Sequence, residues 1–254
     1  MKNATLETAN YGNWLGMKFI YVTGTLGVLF LVWALFSPAL IIPAVVFLAI
    51  MGYFFYARHV FSYSGKSLQS QISALVLDNL NWQGNGKALD IGCGNGALVI
   101  QLARNYPKAS IIGIDYWGKG WEFSQSDCER NAKLEGVQER VSFQQASASQ
   151  IPFPDESFDV VISNLVFHEV MDAPDKRELI REALRVLKKG GKFVLQDLFL
   201  IEKYYGKKDD LLDLMNQWGV GQVEFIESRN APFIPKALKL PFMVGTLAML
   251  VGQK

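Results

Sequence analysis

The sequence predicts an α/β fold: a doubly wound, mostly parallel seven-stranded sheet preceded by a two-helix transmembrane hairpin. Three observations predict it. Short β-type runs alternate with helical stretches between Lys87 and Leu198, the pattern of a parallel sheet covered on both faces. The first run ends in a glycine-rich turn, Gly92-Cys93-Gly94-Asn95-Gly96, that opens a helix. Upstream, the 39 residues from Phe19 to Ala57 include no Asp, Glu, Lys, Arg or His.

Composition narrows the function classes. Of 254 residues, 50% are hydrophobic and 19% charged, which argues against a disordered chain. A net charge of +1 argues against a nucleic-acid binder. Two cysteines form no disulfide framework, and with only two histidines no metal centre is expected. Residues 1–60 carry Lys2, Lys18 and Arg58 against Glu7, whereas residues 61–254 are nearly neutral. The expected division is a membrane anchor over 1–60 and a catalytic domain over 61–254.

A bilayer core takes about 20 apolar residues of helix. Phe19–Phe36 and Ala39–Ala57 each approach that length, and Ser37-Pro38 breaks the helix between them. Pro43 lies in the first turns of the second span, where it either kinks the helix or marks its start. Lys2 and Lys18 precede the first span, and Arg58 and Lys66 follow the second. The positive-inside rule then puts the N-terminus and the body on the cytoplasmic side. Tyr11, Trp14, Tyr53, Tyr56 and Tyr63 collect near that boundary. A cleaved signal peptide would have a shorter apolar run ending at small residues, whereas this one ends in Tyr53-Phe54-Phe55-Tyr56-Ala57-Arg58.

In the body, Ile72–Leu80 reads as a short lead-in helix and Lys87–Ile91 as the first strand. Ala97–Asn105 is helical, with Pro107 beyond its end, and Ser110–Asp115 is a second buried strand. Trp121–Leu134 reads as a helix stopped at Gly136. Val141–Gln145 and Phe158–Ser163 are the third and fourth strands. The helix Lys176–Leu187 stops at Lys188-Lys189-Gly190-Gly191, and Lys192–Leu198 is the fifth strand. In the tail Leu211–Trp218 is helical, and Gln222–Ser228 and Phe242–Gly252 are two further strands. The last is too short for a third span.

The segment Asp90-Ile91-Gly92-Cys93-Gly94-Asn95-Gly96 leaves a strand and enters a helix. Glycines there admit a tight turn, and the helix N-terminus offers free N–H groups to a negative ligand group. Asp115 closes the second strand, where a carboxylate suits a pair of ribose hydroxyls. Gly92, Gly94 and Ala97 also satisfy a dinucleotide fingerprint, so NAD stays open from the spacing alone. Asp90 inside a buried strand either faces a cationic ligand group or braces the loop.

The motif Asp90–Gly96 resembles the first motif of class I S-adenosylmethionine-dependent methyltransferases. Ile112-Gly113-Ile114-Asp115, the run Ile151–Val161 and the run Glu182–Gly191 resemble three further motifs of that family, in the same order. The resemblance runs from about Ala74 to Asp197 and is nearest to the quinone and sterol methyltransferases. It implies a Rossmann-like fold with S-adenosylmethionine as cofactor. Asp90 and the backbone of Gly92, Cys93, Gly94 and Gly96 would hold its methionine part. Asp115 would bind the ribose, Tyr116 or Trp117 would lie against the adenine, and Asn164 would border the reacting methyl. Family members usually carry Gly-Asp-Ala after the third strand, the acid meeting the adenine amino group. Here Ala146-Ser147-Ala148 stands in its place; Ser147 is a neutral, shorter acceptor, which implies either weaker cofactor binding or a backbone contact at the corner of Ser147 and Ala148.

His168, beyond the fourth strand, is the candidate general base or hydrogen-bond donor, against a structural role lining the cleft. Cys128 shows no evident partner, and Tyr204–Lys208 reads as a solvated loop or a pocket cap. The expected function is methylation of a lipophilic acceptor (a quinone, isoprenoid or lipid) at a membrane, with no nucleic acid and no metal. The alternative is a non-catalytic S-adenosylmethionine-binding membrane protein that assembles or regulates a complex.

Overall fold

The computed structural model describes residues 7–62, 67–118 and 123–254. Expectations resting on Lys2, Tyr63, Lys66 and Trp121 lie outside the described residues. The chain divides into two compact units, Gly12–Gln71 and the combination of Met1–Tyr11 with Ile72–Lys254.

In the first unit, α1 (Lys18–Trp33) and α2 (Ile41–Phe61) run antiparallel, joined by a turn and a short 3-10 segment at Pro38–Leu40. Phe19 meets Phe54 and Phe30 stacks on Phe47, with ring centroids 5.4 and 5.6 Å apart. Gly27 lets the helices close up, because a Cβ there would lie 2.8 Å from the Leu48 side chain. Asn13 donates its amide to the Arg58 carbonyl at 2.9 Å, and the Arg58 guanidinium donates to the Leu15 carbonyl.

The expectation of two full spans is corrected here. α1 has 16 residues. At 1.5 Å per residue that is about 24 Å, short of a hydrocarbon core of about 30 Å. Ala34–Phe36 leave the helix as a turn rather than extending it. Pro38–Phe61, with 24 residues, is long and apolar enough to cross a membrane by length and composition. Pro43 sits in the first turn of α2, where its missing N–H costs no helical hydrogen bond.

The second unit is built on one seven-stranded sheet. Its strands are β1 (Gly86–Ile91), β2 (Ala109–Asp115), β3 (Val141–Gln145), β4 (Phe158–Asn164), β5 (Leu187–Asp197), β6 (Gln222–Ile226) and β7 (Ala248–Gln253). Their order is β3-β2-β1-β4-β5-β7-β6. β1 to β5 pair in parallel, and β7 pairs antiparallel with both β5 and β6, so the sheet is mixed. β5 starts five residues earlier than expected, at Leu187 opposite Phe158, with an irregularity between Phe158 and Val160. The glycines of Lys188–Gly191 therefore bend a continuing strand rather than end a helix before it. β7 is shorter than expected, because Lys239–Leu247 folds into turns closed by bonds such as Gly245 N–H to the Leu240 carbonyl.

The helices are α3 (Leu68–Asp78, part of this unit from Ile72), α4 (Ala97–Asn105), α5 (Gln125–Leu134), α6 (Arg177–Val186), α7 (Glu202–Tyr205) and α8 (Lys208–Gln217). α5 starts later than expected, where the Ser124 side chain caps it by accepting from the Asp127 N–H at 3.1 Å. Alternate strand residues feed two cores. Ala88, Val160, Ile162 and Val194 pack with Val76, Leu98 and Leu102 on one face. Leu89, Ile91, Val161 and Phe193 pack with Leu179, Ile180 and Ala183 on the other. Polar residues interrupt these apolar rows at the C-terminal ends of β1, β2, β4 and β5.

Candidate functional site

β1 delivers Asp90 and then turns sharply. Gly92 has φ +74°, and a Cβ there would lie 2.1 Å from Val166 Cγ2, so both conformation and space demand glycine. The N–H groups of Gly92 and Cys93 both donate to the Ile114 carbonyl, at 2.7 and 3.0 Å, which ties the loop to β2. Gly96 is the N-cap of α4 and brings no side chain, so the first-turn N–H groups of that helix have no side-chain cap.

Asp115, at the end of β2, closes on this loop. Its Oδ2 accepts from Gly94 N–H and its Oδ1 from Trp117 N–H, both at 2.9 Å. Each oxygen keeps capacity to accept again. Burial raises the Asp115 pKa, opposed by the amides of Trp117, Gly94 and Tyr116. The Trp117 indole donates to the Gly94 carbonyl at 2.9 Å, so that ring is fastened to the loop. Tyr116, 66% exposed, is the aromatic left free to meet a ligand.

Asp90 is 1% exposed, and neither of its carboxylate oxygens has a hydrogen-bond partner. Burial, followed by the nearby Asp115 charge, holds its pKa well above the ordinary carboxylate range. A buried acceptor without a donor is rare and calls for an explanation. The loop brace does not supply one, because neither oxygen accepts from the loop's N–H groups; a cationic ligand group would.

Two more unpartnered acceptors lie close by. Asn164 and Gln196 are register partners at the ends of β4 and β5. Asn164 donates to Ser73 Oγ at 3.4 Å and Gln196 to the Ile72 carbonyl at 3.2 Å, while Asn164 Oδ1 and Gln196 Oε1 are buried without partners.

His168 stands on a 3-10 turn (Phe167–Glu169) after β4, and its Nδ1 lies 2.7 Å from Asp197 Oδ1 at the end of β5. Asp197 also accepts from the N–H groups of Val166, Phe167 and Leu198, at 3.1, 2.7 and 2.6 Å. Burial opposes charge on His168, but the Asp197 and Glu169 carboxylates outweigh it and push its pKa up to about 10. For Asp197 burial is likewise outweighed, by His168 and the backbone donors, and its carboxyl sits below the ordinary range. The pair is an imidazolium–carboxylate, and its Nε2 faces the Glu169 carboxylate, 3.5 Å from Oε1.

The structure thus gathers Asp90, Gly92, Cys93, Gly94, Gly96, Asp115, Tyr116, Asn164 and His168 at one end of the sheet. Cys93 contributes backbone, its thiol being buried and its pKa raised by burial and by Cys128. Cys128, expected to stand alone, donates to the Gly94 carbonyl at 3.1 Å. Ala148 is buried, and Ser147 turns its hydroxyl to Asp172 at 3.1 Å. Sequence reasoning missed Asp197, although it ends a strand as Asp115 does, and that position was the available signal. It also missed Asn131, whose amide clamps the Asn10 backbone through bonds of 3.0 and 2.8 Å and holds the Asn95 carbonyl at 3.0 Å. Among the described residues no group of three His, Cys, Asp or Glu is placed to hold a metal.

The family model described as "Methyltransferase domain" matches residues 83–222. The chain is 36% identical over 127 residues to 27-O-demethylrifamycin SV methyltransferase of Amycolatopsis mediterranei, covering 49% of this chain and 43% of that protein. It is 30% identical over 117 residues to the ubiquinone/menaquinone biosynthesis C-methyltransferase UbiE of Geobacter sulfurreducens, covering 46% of this chain and 43% of that protein. The matched segment therefore spans less than half the length of either relative. A structure of geranyl diphosphate methyltransferase in complex with SAM shares the fold, with a TM-score of 0.53 at 13% identity over 74% of this chain and 86% of that one.

Proposed function

Because this chain belongs to the methyltransferase-domain family, we propose that it transfers a methyl group from S-adenosylmethionine to a lipophilic acceptor at a membrane surface. The observation that carries the reading is the buried, unpartnered Asp90 carboxylate beside the glycine loop and Asp115. Asp90 is suited to the ammonium of the methionine part, the uncapped N-terminus of α4 to its carboxylate, and Asp115 to the ribose hydroxyls. The bound cofactor supplies an electrophilic methyl on a sulfonium, and the protein's part is orientation and charge.

On this reading Asn164 and Gln196 line the acceptor side. Asp197 holds the His168 ring at Nδ1, and an acceptor oxygen would take the Nε2–H in place of Glu169, which faces it at 3.5 Å. An imidazolium only donates, so His168 would steady the acceptor as its oxyanion, and the hydroxyl proton would leave to solvent before the methyl is transferred. That dyad favours an enzyme over a non-catalytic cofactor binder.

The helix Pro38–Phe61 supports membrane attachment, as do the exposed Tyr21, Leu35, Phe36, Ile42 and Phe55. Lys18 and Arg58 at one end of the helical pair support a cytoplasmic catalytic unit. A matched relative named for quinone biosynthesis supports a quinone-like acceptor.

Incubation of the protein and native membranes with methyl-labelled cofactor, followed by organic extraction, tests the proposal. Label is expected in the organic phase and should be absent with Gly94→Asp. Label confined to the aqueous phase would refute the lipophilic acceptor, and label in neither phase would refute catalysis.

A further inference from the structure

The third-strand loop poses a problem of charge. Asp115 ends β2 and pairs with Gln145 at the end of β3, and Ala146 N–H donates back to the Asp115 carbonyl at 2.9 Å. A nucleoside whose ribose sits on Asp115 therefore extends its base over the top of β3, where Ser147 follows two residues after the strand. An adenine brings two N–H donors on its exocyclic amino group to that corner. Ser147 is neutral, and its hydroxyl is already engaged.

A second loop reaches the same corner. Asp172, between β4 and α6, accepts at one carboxylate oxygen from Ser149 Oγ at 2.7 Å and from Ser147 Oγ at 3.1 Å. Ser147 Oγ in turn accepts from Ser149 N–H at 3.2 Å. The two hydroxyls hold the carboxylate in a fixed place on an otherwise exposed loop. They also lower its pKa, the Ser149 contribution being the largest, so it stays ionised.

We propose that Asp172 reads the adenine amino group of the cofactor, supplying from the fourth-strand loop the acid that the third-strand loop lacks. The inference rests on the S-adenosylmethionine reading of the site. An ionised carboxylate only accepts hydrogen bonds. It therefore suits the 6-amino group of adenine and disfavours the 6-oxo group at the same position, whose oxygen is an acceptor; the donor on that edge of a 6-oxo purine is N1–H, one ring position away. Ser147 and Ser149 act as positioning residues.

Calorimetric titration with S-adenosylhomocysteine and with its 6-oxo analogue, S-inosylhomocysteine, tests this. The native protein should prefer the adenosyl compound by about tenfold or more, the scale of a charge-assisted hydrogen bond. Asp172→Ala should bring the two affinities within about twofold, a difference well below the effect of one such bond. Asp172→Asn, which can donate to the 6-oxo group, should favour the inosyl compound relative to native. The paired replacement Ser147→Ala with Ser149→Ala should narrow the preference part of the way. A preference that survives Asp172→Ala, or native protein that binds both compounds equally, overturns the proposal. Failure of native protein to bind either compound would overturn the cofactor reading itself and the proposal with it.

Discussion

Asp115→Ala is expected to weaken S-adenosylmethionine binding by a hundredfold or more, on the scale of about 1.5–3 kcal/mol for each hydrogen bond to a charged group. The loss has two sources. The carboxylate would no longer accept the two ribose hydroxyls. It would also stop accepting from Gly94 and Trp117 N–H, which sets the glycine loop against the end of β2. Asp115→Asn keeps one oxygen to accept and should lose less. Equilibrium titration of the two variants against native protein checks the order. Equal, undiminished affinity in both would remove Asp115 from the site.

Asp197→Asn should lower the rate of methyl transfer by about a hundredfold at neutral pH, within the range of general acid–base contributions. Its more specific effect is on proton binding. His168 owes its pKa of about 10 to Asp197 first and Glu169 second, acting against burial. Without the Asp197 charge the ring pKa should fall from about 10, with burial lowering it and only Glu169 still raising it. The descending limb of the pH–rate profile should then move from near 10 toward neutrality.

Stability follows the same linkage. The His168 pKa is raised above its unfolded value, so its contribution is complete below about pH 6.5 and is lost as pH rises through about 10. The Asp197 pKa is lowered, so its contribution is present above its unfolded value and is lost as pH falls through the folded one. The native protein should be most stable in mildly acidic solution, with Asp197→Asn flattening both flanks. An NMR titration of His168 checks this directly, and an unchanged midpoint in Asp197→Asn would contradict it.

The parallel core was legible because β1 to β4 and α4 carry strong local signals: apolar runs of the right length, closed by glycine or acid. Ala97–Asn105 is the helix that was expected. The boundaries that moved depended on tertiary partners. β5 extends back to Leu187 because Phe158 pairs with it, and local propensity at Lys188–Gly191 carries no trace of that. The apolar head showed its composition, but not that α1 would stop at Trp33. The glycine loop and Asp115 were readable because they lie together in sequence and strand order. His168–Asp197 and Ser147–Asp172 join residues 29 and 25 positions apart across different loops, and only folding makes them neighbours.

The measurement that bears most directly on the site is calorimetric titration of S-adenosylmethionine and, separately, NAD at neutral pH in buffers of different ionisation enthalpy. Asp90 is buried and disposed to hold a proton, and a cation arriving beside it should expel that proton. The expected result is saturable one-to-one binding of S-adenosylmethionine with net proton release, and loss of that release in Asp90→Asn. Saturation by NAD with no response to S-adenosylmethionine would contradict the assignment of this site.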